Sequence, residues 1–74
     1  MFCSERIRKL REETGMTQQA IADMLGVGQR TYCDYESGKT RIPVDRILIL
    51  AEHYDVSMDY ICGASSVKGN FPRD

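Results

Sequence analysis

Three polar side chains, Gln29, Arg30 and Asp34, have the chemistry needed to read the edges of DNA bases. In the major groove a glutamine can pair bidentately with adenine and an arginine with guanine, and each such pair contributes about 1–3 kcal/mol of discrimination. Asp34 lies four residues after Arg30, so on a helix it can accept a hydrogen bond from cytosine or form an ion pair with Arg30. The ion pair, which orients the arginine, is the favoured role. Any of this chemistry requires a helix that presents the three side chains to the groove.

The residues around this segment predict two short helices joined by a tight turn. Thr17 is a good N-cap for the first helix, and Gly26 suits the left-handed conformation in which many helices end. The apolar residues of the first helix fall on one face: Ile21, Ala22 and Leu25. Tyr32 and Tyr35 are three residues apart and anchor the second helix inward. Residues 18–37 therefore follow the helix-turn-helix plan, in which the second helix can enter the DNA major groove.

The longer pattern resembles the phage-repressor-like helix-turn-helix family, the lambda-repressor and Cro type that is also called the xenobiotic-response-element family. The resemblance rests on MTQQAIA at 16–22, GV at 26–27 and YCDYESGK at 32–39, and continues through Pro43, LAE at 50–52 and VSMDYI at 56–61. It covers most of the chain, from about residue 5 to residue 63. It implies an all-α, compact five-helix lambda-repressor-like DNA-binding domain over residues 1–63, followed by a C-terminal tail, residues 64–74.

Apolar spacing predicts the other three helices. We expect a first helix over about 4–14 that is capped by Ser4, a fourth over about 44–54, and a short last helix capped by Ser57. The side chains expected to build the core with the motif are Ile7, Leu10, Met16, Val27, Ile47, Leu50, Ala51, Tyr54, Val56, Met58 and Ile61, with Cys62 as a further candidate.

The resemblance also implies a set of phosphate contacts. Gln18 matches a phosphate-contacting glutamine of the family, and its amide can donate together with the helix N-terminus. Arg11 matches a basic residue that pairs with Glu36 and can leave its guanidinium near a phosphate, the alternative being a surface salt bridge of little worth. The loop after the second motif helix supplies two cations, a hydroxyl and backbone N–H groups suited to phosphate contact: Lys39, Thr40 and Arg41.

Gly28 completes the base-reading set with Gln29, Arg30 and Asp34, but it departs from the family. A serine or threonine is usual at this position, so a hydroxyl contact to DNA is lost and the helix cap is weaker. Thr31 is expected to be structural and to pack toward the first motif helix.

Members of the resembled family typically bind near-palindromic sites as homodimers, because one recognition helix reads too few base pairs to compete with genomic sites. We expect the interface on the fourth helix, the fifth helix and the tail. The candidate interface residues are Ile49, His53 and Phe71. An exposed isoleucine hints at a partner surface. Phe71 is expected to dock, with the second protomer as a candidate surface, or else to lie in a disordered tail.

The net charge of −1 does not by itself suggest a nucleic-acid ligand. Residues 1–41 carry seven Lys and Arg against six Asp and Glu, whereas residues 42–74 carry three against five. The basic residues cluster in the first helix and after the motif, which is enough to neutralise some phosphates. The remaining cations of the first helix are expected on a solvated face: Arg6, Arg8 and Lys9.

The three cysteines match no common zinc spacing, even with His53, so neither metal nor cofactor is expected. They are interpreted as reduced thiols, with a redox effect of Cys33 on binding as the alternative. No apolar run is long enough to span a membrane and no secretion signal is visible, so the expected location is the cytoplasm.

The leading interpretation is a sequence-specific DNA-binding transcriptional regulator, a repressor controlled by its own concentration, its degradation or a protein partner. The alternative is a protein-interaction module, antitoxin-like or anti-repressor, that uses the same fold. An enzyme is not expected, because paired carboxylates, a Cys/His pair and a Gly-rich phosphate loop are all missing from the sequence.

Overall fold

The computed structural model describes residues 3–71, which form five α-helices and no strand. The helices are α1 (Cys3–Thr14), α2 (Gln18–Leu25), α3 (Gln29–Ser37), α4 (Val44–Tyr54) and α5 (Met58–Ile61). The predicted all-α, five-helix architecture is therefore confirmed. Met1, Phe2 and residues 72–74, which belong to the predicted domain and tail, lie outside the described residues.

Side-chain and glycine caps set the limits of the short helices. The Thr17 hydroxyl accepts a hydrogen bond from the Ala20 N–H at the start of α2, and the Ser57 hydroxyl accepts one from the Tyr60 N–H at the start of α5. Gly26 ends α2 with a φ of 72°, the left-handed conformation that a side chain would oppose. These three caps are those expected from the sequence.

One hydrophobic core joins all five helices. Its buried members are Ile7, Leu10, Ile21, Ala22, Leu25, Tyr32, Tyr35, Ile42, Ile47, Leu50, Ala51, Val56, Tyr60 and Ile61. Ala22 is fully buried where α2 packs on α3, so a larger side chain there would separate the two helices. The motif is thus held against α1 by the same core that carries α4 and α5.

Some core predictions were wrong at the margins. The first helix begins at Cys3, so Ser4 lies inside its first turn and is not its cap. Cys62 is exposed, whereas Tyr60 and Ile42, which the spacing did not indicate, are buried. Helix α5 is a single turn whose buried residues are Tyr60 and Ile61, and Cys62 follows the end of that turn.

Arg6 is the largest correction on α1, since it was expected on a solvated face. Only 8 % of the residue is exposed. Its NH1 group donates to the Tyr60 carbonyl at 2.8 Å and to the Ser65 carbonyl at 3.0 Å, and the guanidinium lies 4.1 Å from the centre of the Tyr60 ring. The arginine is buried because two carbonyl groups and an aromatic face replace its hydration.

The described part of the tail folds back onto the domain. The Ser57 N–H donates to the Lys68 carbonyl at 2.9 Å, and the Lys68 ammonium lies 3.1 Å from a Glu13 carboxylate oxygen. The Phe71 N–H donates to Asp55 at 3.2 Å, and its side chain packs against the core. Through residue 71 the tail therefore docks on its own domain.

Candidate nucleic-acid interface

The α2–turn–α3 unit presents one face of α3 away from the core. The Val27 N–H donates to the Ala22 carbonyl at 3.0 Å, which closes the turn after Gly26. Tyr32 and Tyr35 anchor α3 inward, with ring centroids 6.4 Å apart and planes at 88°. Since both aromatic rings point into the core, the opposite side of α3 faces outward.

That outward side carries the residues expected to read bases. Gln29 and Arg30 are exposed, and Asp34 is partly exposed one turn later. Arg30 Nε lies 3.6 Å from Asp34 Oδ1, the expected intrahelical pair. Gly28 precedes them as the N-cap of α3, with extended backbone and no side-chain hydrogen bond. No capping side chain therefore covers the first backbone N–H groups of α3. The structure thus brings the four predicted base-reading residues to one surface.

Thr31 belongs to the same surface, which contradicts the expectation that it packs toward α2. It is exposed. Thr31 lies in the first turn of α3, where Gln29 and Arg30 are also exposed and the buried residue is Tyr32. The neighbouring exposed Gln29 and Arg30 were the signal that this turn projects from the domain.

A buried ion pair supports α3 from behind. Arg11 donates to both carboxylate oxygens of Glu36, from Nε at 2.6 Å and from NH2 at 3.1 Å, and from NH1 to the Met16 carbonyl at 3.0 Å. Gln18 donates from its amide to Glu36 Oε1 at 3.1 Å. The expected Arg11–Glu36 pair is therefore present, and its bidentate, buried geometry differs from a weak surface salt bridge.

The protonation equilibria reflect the same network. Burial alone would raise the pKa of Glu36, but hydrogen bonds from Arg11 and from Gln18, together with the nearby Tyr32 hydroxyl, outweigh it and lower the pKa of that carboxyl. The Tyr32 hydroxyl approaches the carboxylate without full hydrogen-bond geometry, and burial followed by this contact raises its own pKa. The carboxylate is thus held charged at the junction of α1, α2 and α3.

Arg11 and Gln18 also line a shallow cleft of about 310 Å³ beside α3. Arg8 stands on the same wall. A phosphate oxygen approaching this cleft would meet three hydrogen-bond donors and the N-terminal end of α2.

The loop after α3 exposes the three predicted phosphate contacts, Lys39, Thr40 and Arg41. Gly38 opens it with a φ of 79°. The Lys39 N–H donates to the Ser37 hydroxyl and the Thr40 N–H to the Asp34 carbonyl, so these two backbone groups are engaged within the loop. We therefore expect phosphate contacts of this loop to come from its side chains more than from these backbone N–H groups.

The comparisons with known proteins agree with this geometry. A family model described as "Helix-turn-helix" matches residues 7–61. The chain belongs to this helix-turn-helix family. The match begins inside α1 and ends with α5, so it includes residues of all five helices.

Two curated relatives come from Bacillus subtilis strain 168. An uncharacterized HTH-type transcriptional regulator, YobD, is 40% identical over 63 residues, which are 85% of this chain and 55% of that protein. The HTH-type transcriptional regulator AnsR is 32% identical over 69 residues, 93% of this chain and 60% of that protein. The chain thus spans little more than half the length of these relatives.

Among solved structures, the P22 c2 repressor in complex with a synthetic operator matches with a TM-score of 0.78 and 26% identity. The match covers 88% of this chain and 98% of that one. The helix-turn-helix domain described here therefore has the lambda-repressor-like DNA-binding fold that the sequence predicted.

The residues expected at a dimer interface lie on a different side of this helix-turn-helix domain. Ile49 is 36% exposed on α4, beside the exposed Leu48 and Val44. His53 is exposed, with Nε2 3.3 Å from Met16 Sδ. Phe71 is partly buried against its own core. Of the three predicted interface residues, Ile49 and His53 present free surface on α4.

Within residues 3–71 no three His, Cys, Asp or Glu side chains are grouped so that they could hold a metal ion. The same part of the chain contains no helix with the length and hydropathy of a membrane span. Cys33 lies partly buried on α3, in the cleft that Arg11 and Gln18 line.

Proposed function

We propose that this chain is a sequence-specific DNA-binding transcriptional regulator that represses by occupying a near-palindromic operator as a homodimer. The observation that carries the proposal is the outward surface of α3. There Gln29, Arg30 and Thr31 are exposed together, while the helix is fixed from behind by tyrosines and a buried ion pair. A related fold bound to an operator, that of the P22 c2 repressor, supports the same use of this surface.

Base reading falls to the first turn of α3. Gln29 and Arg30 are the bidentate readers of adenine and guanine, and Asp34 holds Arg30 through a pair that a base can displace. Thr31 is added to this set, because a threonine can contact a base through its hydroxyl or a thymine methyl group. Gly28 leaves room for close approach of the helix N-terminus to the DNA.

Phosphate contacts flank this turn on two sides. On one side Gln18 and Arg11 line the shallow cleft, each already oriented by Glu36. On the other side the exposed loop residues Lys39, Thr40 and Arg41 meet the backbone. Such contacts fix the register of the protein on the duplex but carry no sequence information.

The second protomer would pack on α4. Val44, Leu48 and Ile49 expose apolar surface along that helix, and His53 follows one turn after Ile49. Replacing Ile49 by glutamate should prevent dimer formation in sedimentation experiments. Val67→Glu is the comparison variant, because Val67 is also apolar and exposed but lies in the tail. Loss of the dimer in both variants would extend the interface from α4 to the tail. A strictly monomeric wild type, on DNA as well as in solution, would remove this part of the proposal.

The decisive test of the whole proposal is selection from a random duplex library at low salt, with wild type, Gln29→Ala and Arg30→Ala. We expect a near-palindromic consensus that each variant relaxes at one mirrored pair of positions. Lys68→Ala serves as the control, since Lys68 is a cation of the tail, where it pairs with Glu13.

Salt dependence separates the proposal from a protein-interaction module. Six to ten phosphate contacts predict that the affinity falls by about 10³–10⁵ between 50 and 200 mM salt. A library that yields no consensus, together with a flat salt profile, would instead favour a protein partner.

A further inference from the structure

Two cysteines that are far apart in sequence meet in the folded chain. Cys3 begins α1 and Cys62 follows α5, 59 positions later. Both line a cleft of about 760 Å³ that is also lined by Tyr35, Thr40 and Arg41. Both are free thiols, Cys3 partly buried and Cys62 exposed.

The two thiols are close enough to influence each other. Burial, together with charge interaction and hydrogen bonding to the Cys62 thiol, raises the pKa of Cys3 to about 11. Both side chains also line one cleft, and the segments that carry them are joined by the hydrogen bond from Arg6 to the Tyr60 carbonyl, so side-chain rotation can bring the two thiols together. Cys3 is thus the protected partner of the pair, and Cys62 is the one open to solvent.

The backbone around the pair is held in register by Arg6. It lies one turn after Cys3, and it donates to the Tyr60 carbonyl, two residues before Cys62. The same guanidinium packs on the Tyr60 ring at 4.1 Å. This contact fastens the start of α1 to α5, so the segments that carry Cys3 and Cys62 are held side by side in the fold.

We propose that Cys3 and Cys62 form a peroxide-sensitive dithiol that closes into an intramolecular disulfide. The exposed Cys62 sulfur attacks one oxygen of hydrogen peroxide, the O–O bond breaks, and Cys62 becomes a sulfenic acid while the departing hydroxide takes the thiol proton and leaves as water. Cys3 Sγ then attacks Cys62 Sγ, the S–O bond breaks, and the departing hydroxide takes the Cys3 proton as a second water. Two thiols are oxidised by two electrons, and one peroxide is reduced to two waters.

Cys33 provides an internal control for this pair. It is partly buried in the separate cleft beside α3, among Arg11 and Gln18, and it does not line the cleft that holds Cys3 and Cys62. Oxidation confined to Cys3 and Cys62 is therefore a specific expectation of the fold.

The test treats reduced protein with a small excess of hydrogen peroxide under dilute conditions. In wild type and in Cys33→Ser we expect a monomer that loses the mass of two hydrogen atoms, with one linked peptide containing Cys3 and Cys62. Because the link closes a long loop, the melting temperature should rise by at least about 10 °C and return with dithiothreitol. Cys62→Ser, a change at an exposed position, should abolish both effects.

Three results would overturn the proposal. They are oxygen addition to Cys62 in Cys33→Ser without a linked peptide, covalent dimers as the main product, or a linked peptide that contains Cys33 in the wild type. None of these readouts depends on DNA binding, so the outcome is independent of the proposed regulatory function.

Discussion

Two arginine–carboxylate pairs involve α3, one on its inward face and one on its outward face, and they differ in distance and exposure. The inward pair joins Arg11 of α1 to Glu36 of α3, and the outward pair lies within α3. On the inward face Arg11 Nε lies 2.6 Å from Glu36 Oε2, with the two side chains 16% and 4% exposed. On the outward face Arg30 Nε lies 3.6 Å from Asp34 Oδ1, and the arginine side chain is 80% exposed. The same two chemical groups therefore form a short, buried ion pair on the inward face and a longer, exposed ion pair on the outward face.

The difference follows from solvent. An exposed pair gains little, about 0–1 kcal/mol, because water competes for both charges. Such a pair can exchange its partner for a base at small cost. A buried pair cannot, since breaking it leaves an uncompensated charge away from water. Helix α3 can thus be rigidly placed and still offer an adaptable surface.

The largest expected effect comes from removing the buried cation. Arg11→Ala should lower the free energy of unfolding by about 3–5 kcal/mol, because Glu36 is left charged and buried. Urea denaturation measures it. Arg8→Ala is the matched control on the same helix, since Arg8 pairs with Glu12 at 3.6 Å in an exposed position, and it should change stability by about 1 kcal/mol or less. Equal losses of unfolding free energy in the two variants would contradict the distinction between the buried and the exposed ion pair.

A second variant sharpens this result. Replacing both members, Arg11→Met with Glu36→Leu, removes the charge along with its partner. We expect the double variant to be more stable than Arg11→Ala alone, because replacing a buried pair by apolar side chains is often nearly neutral. A double variant that is less stable than the single one would show that the ion pair itself, and not the orphaned charge, dominates.

The pH dependence of stability should report the same carboxylate. Hydrogen bonding holds the pKa of Glu36 below its ordinary value of 4.5 despite burial. Its contribution is therefore fully present above about the pKa of the unfolded state and is lost as the pH falls through the folded-state pKa. Glu36→Gln should flatten the acid limb of the stability profile, whereas Glu12→Gln, at an exposed position, should leave it unchanged.

The exposed pair should matter for DNA and little for folding. Arg30→Ala should leave the free energy of unfolding within about 0.5 kcal/mol of wild type. It should lower discrimination at one base pair in each half-site by about 1–3 kcal/mol. Paired unfolding and binding titrations measure both quantities. A large loss of stability without a change in base preference would contradict the assignment of Arg30 to DNA reading and show that it serves folding.

The smallest effect is expected at the start of α3. Gly28 caps the helix without a side-chain hydrogen bond, and a Cβ there would meet open space. Gly28→Ser should therefore raise the free energy of unfolding by a few tenths of a kcal/mol, since a hydroxyl can accept from the first turn. Gly28→Ala supplies the control without the hydroxyl. If alanine stabilises as much as serine, the gain reflects backbone entropy and not capping.

Local signals were enough for the motif, because caps and turns depend on residues that are adjacent in sequence. Thr17, Gly26 and Ser57 act as their types predict. The Arg11–Glu36 pair spans 25 positions and was expected from the family pattern, not from spacing. The prediction for Thr31 was wrong because the packing of α2 against the first turn of α3 decides which residues of that turn are covered, and the sequence does not show that packing.

The sequence by itself determined the five helices, the caps at Thr17, Gly26 and Ser57, and most of the core. It also determined the surface of α3 that carries Gln29, Arg30 and Asp34. Those features depend on the periodicity of the chain and on short-range backbone chemistry. Only the tertiary structure decided that Arg6 is buried, that the tail docks through Phe71, and that Cys3 meets Cys62. The hydrogen bonds behind the first two of these join residues 16 to 59 positions apart, and no local pattern encodes contacts between such distant segments.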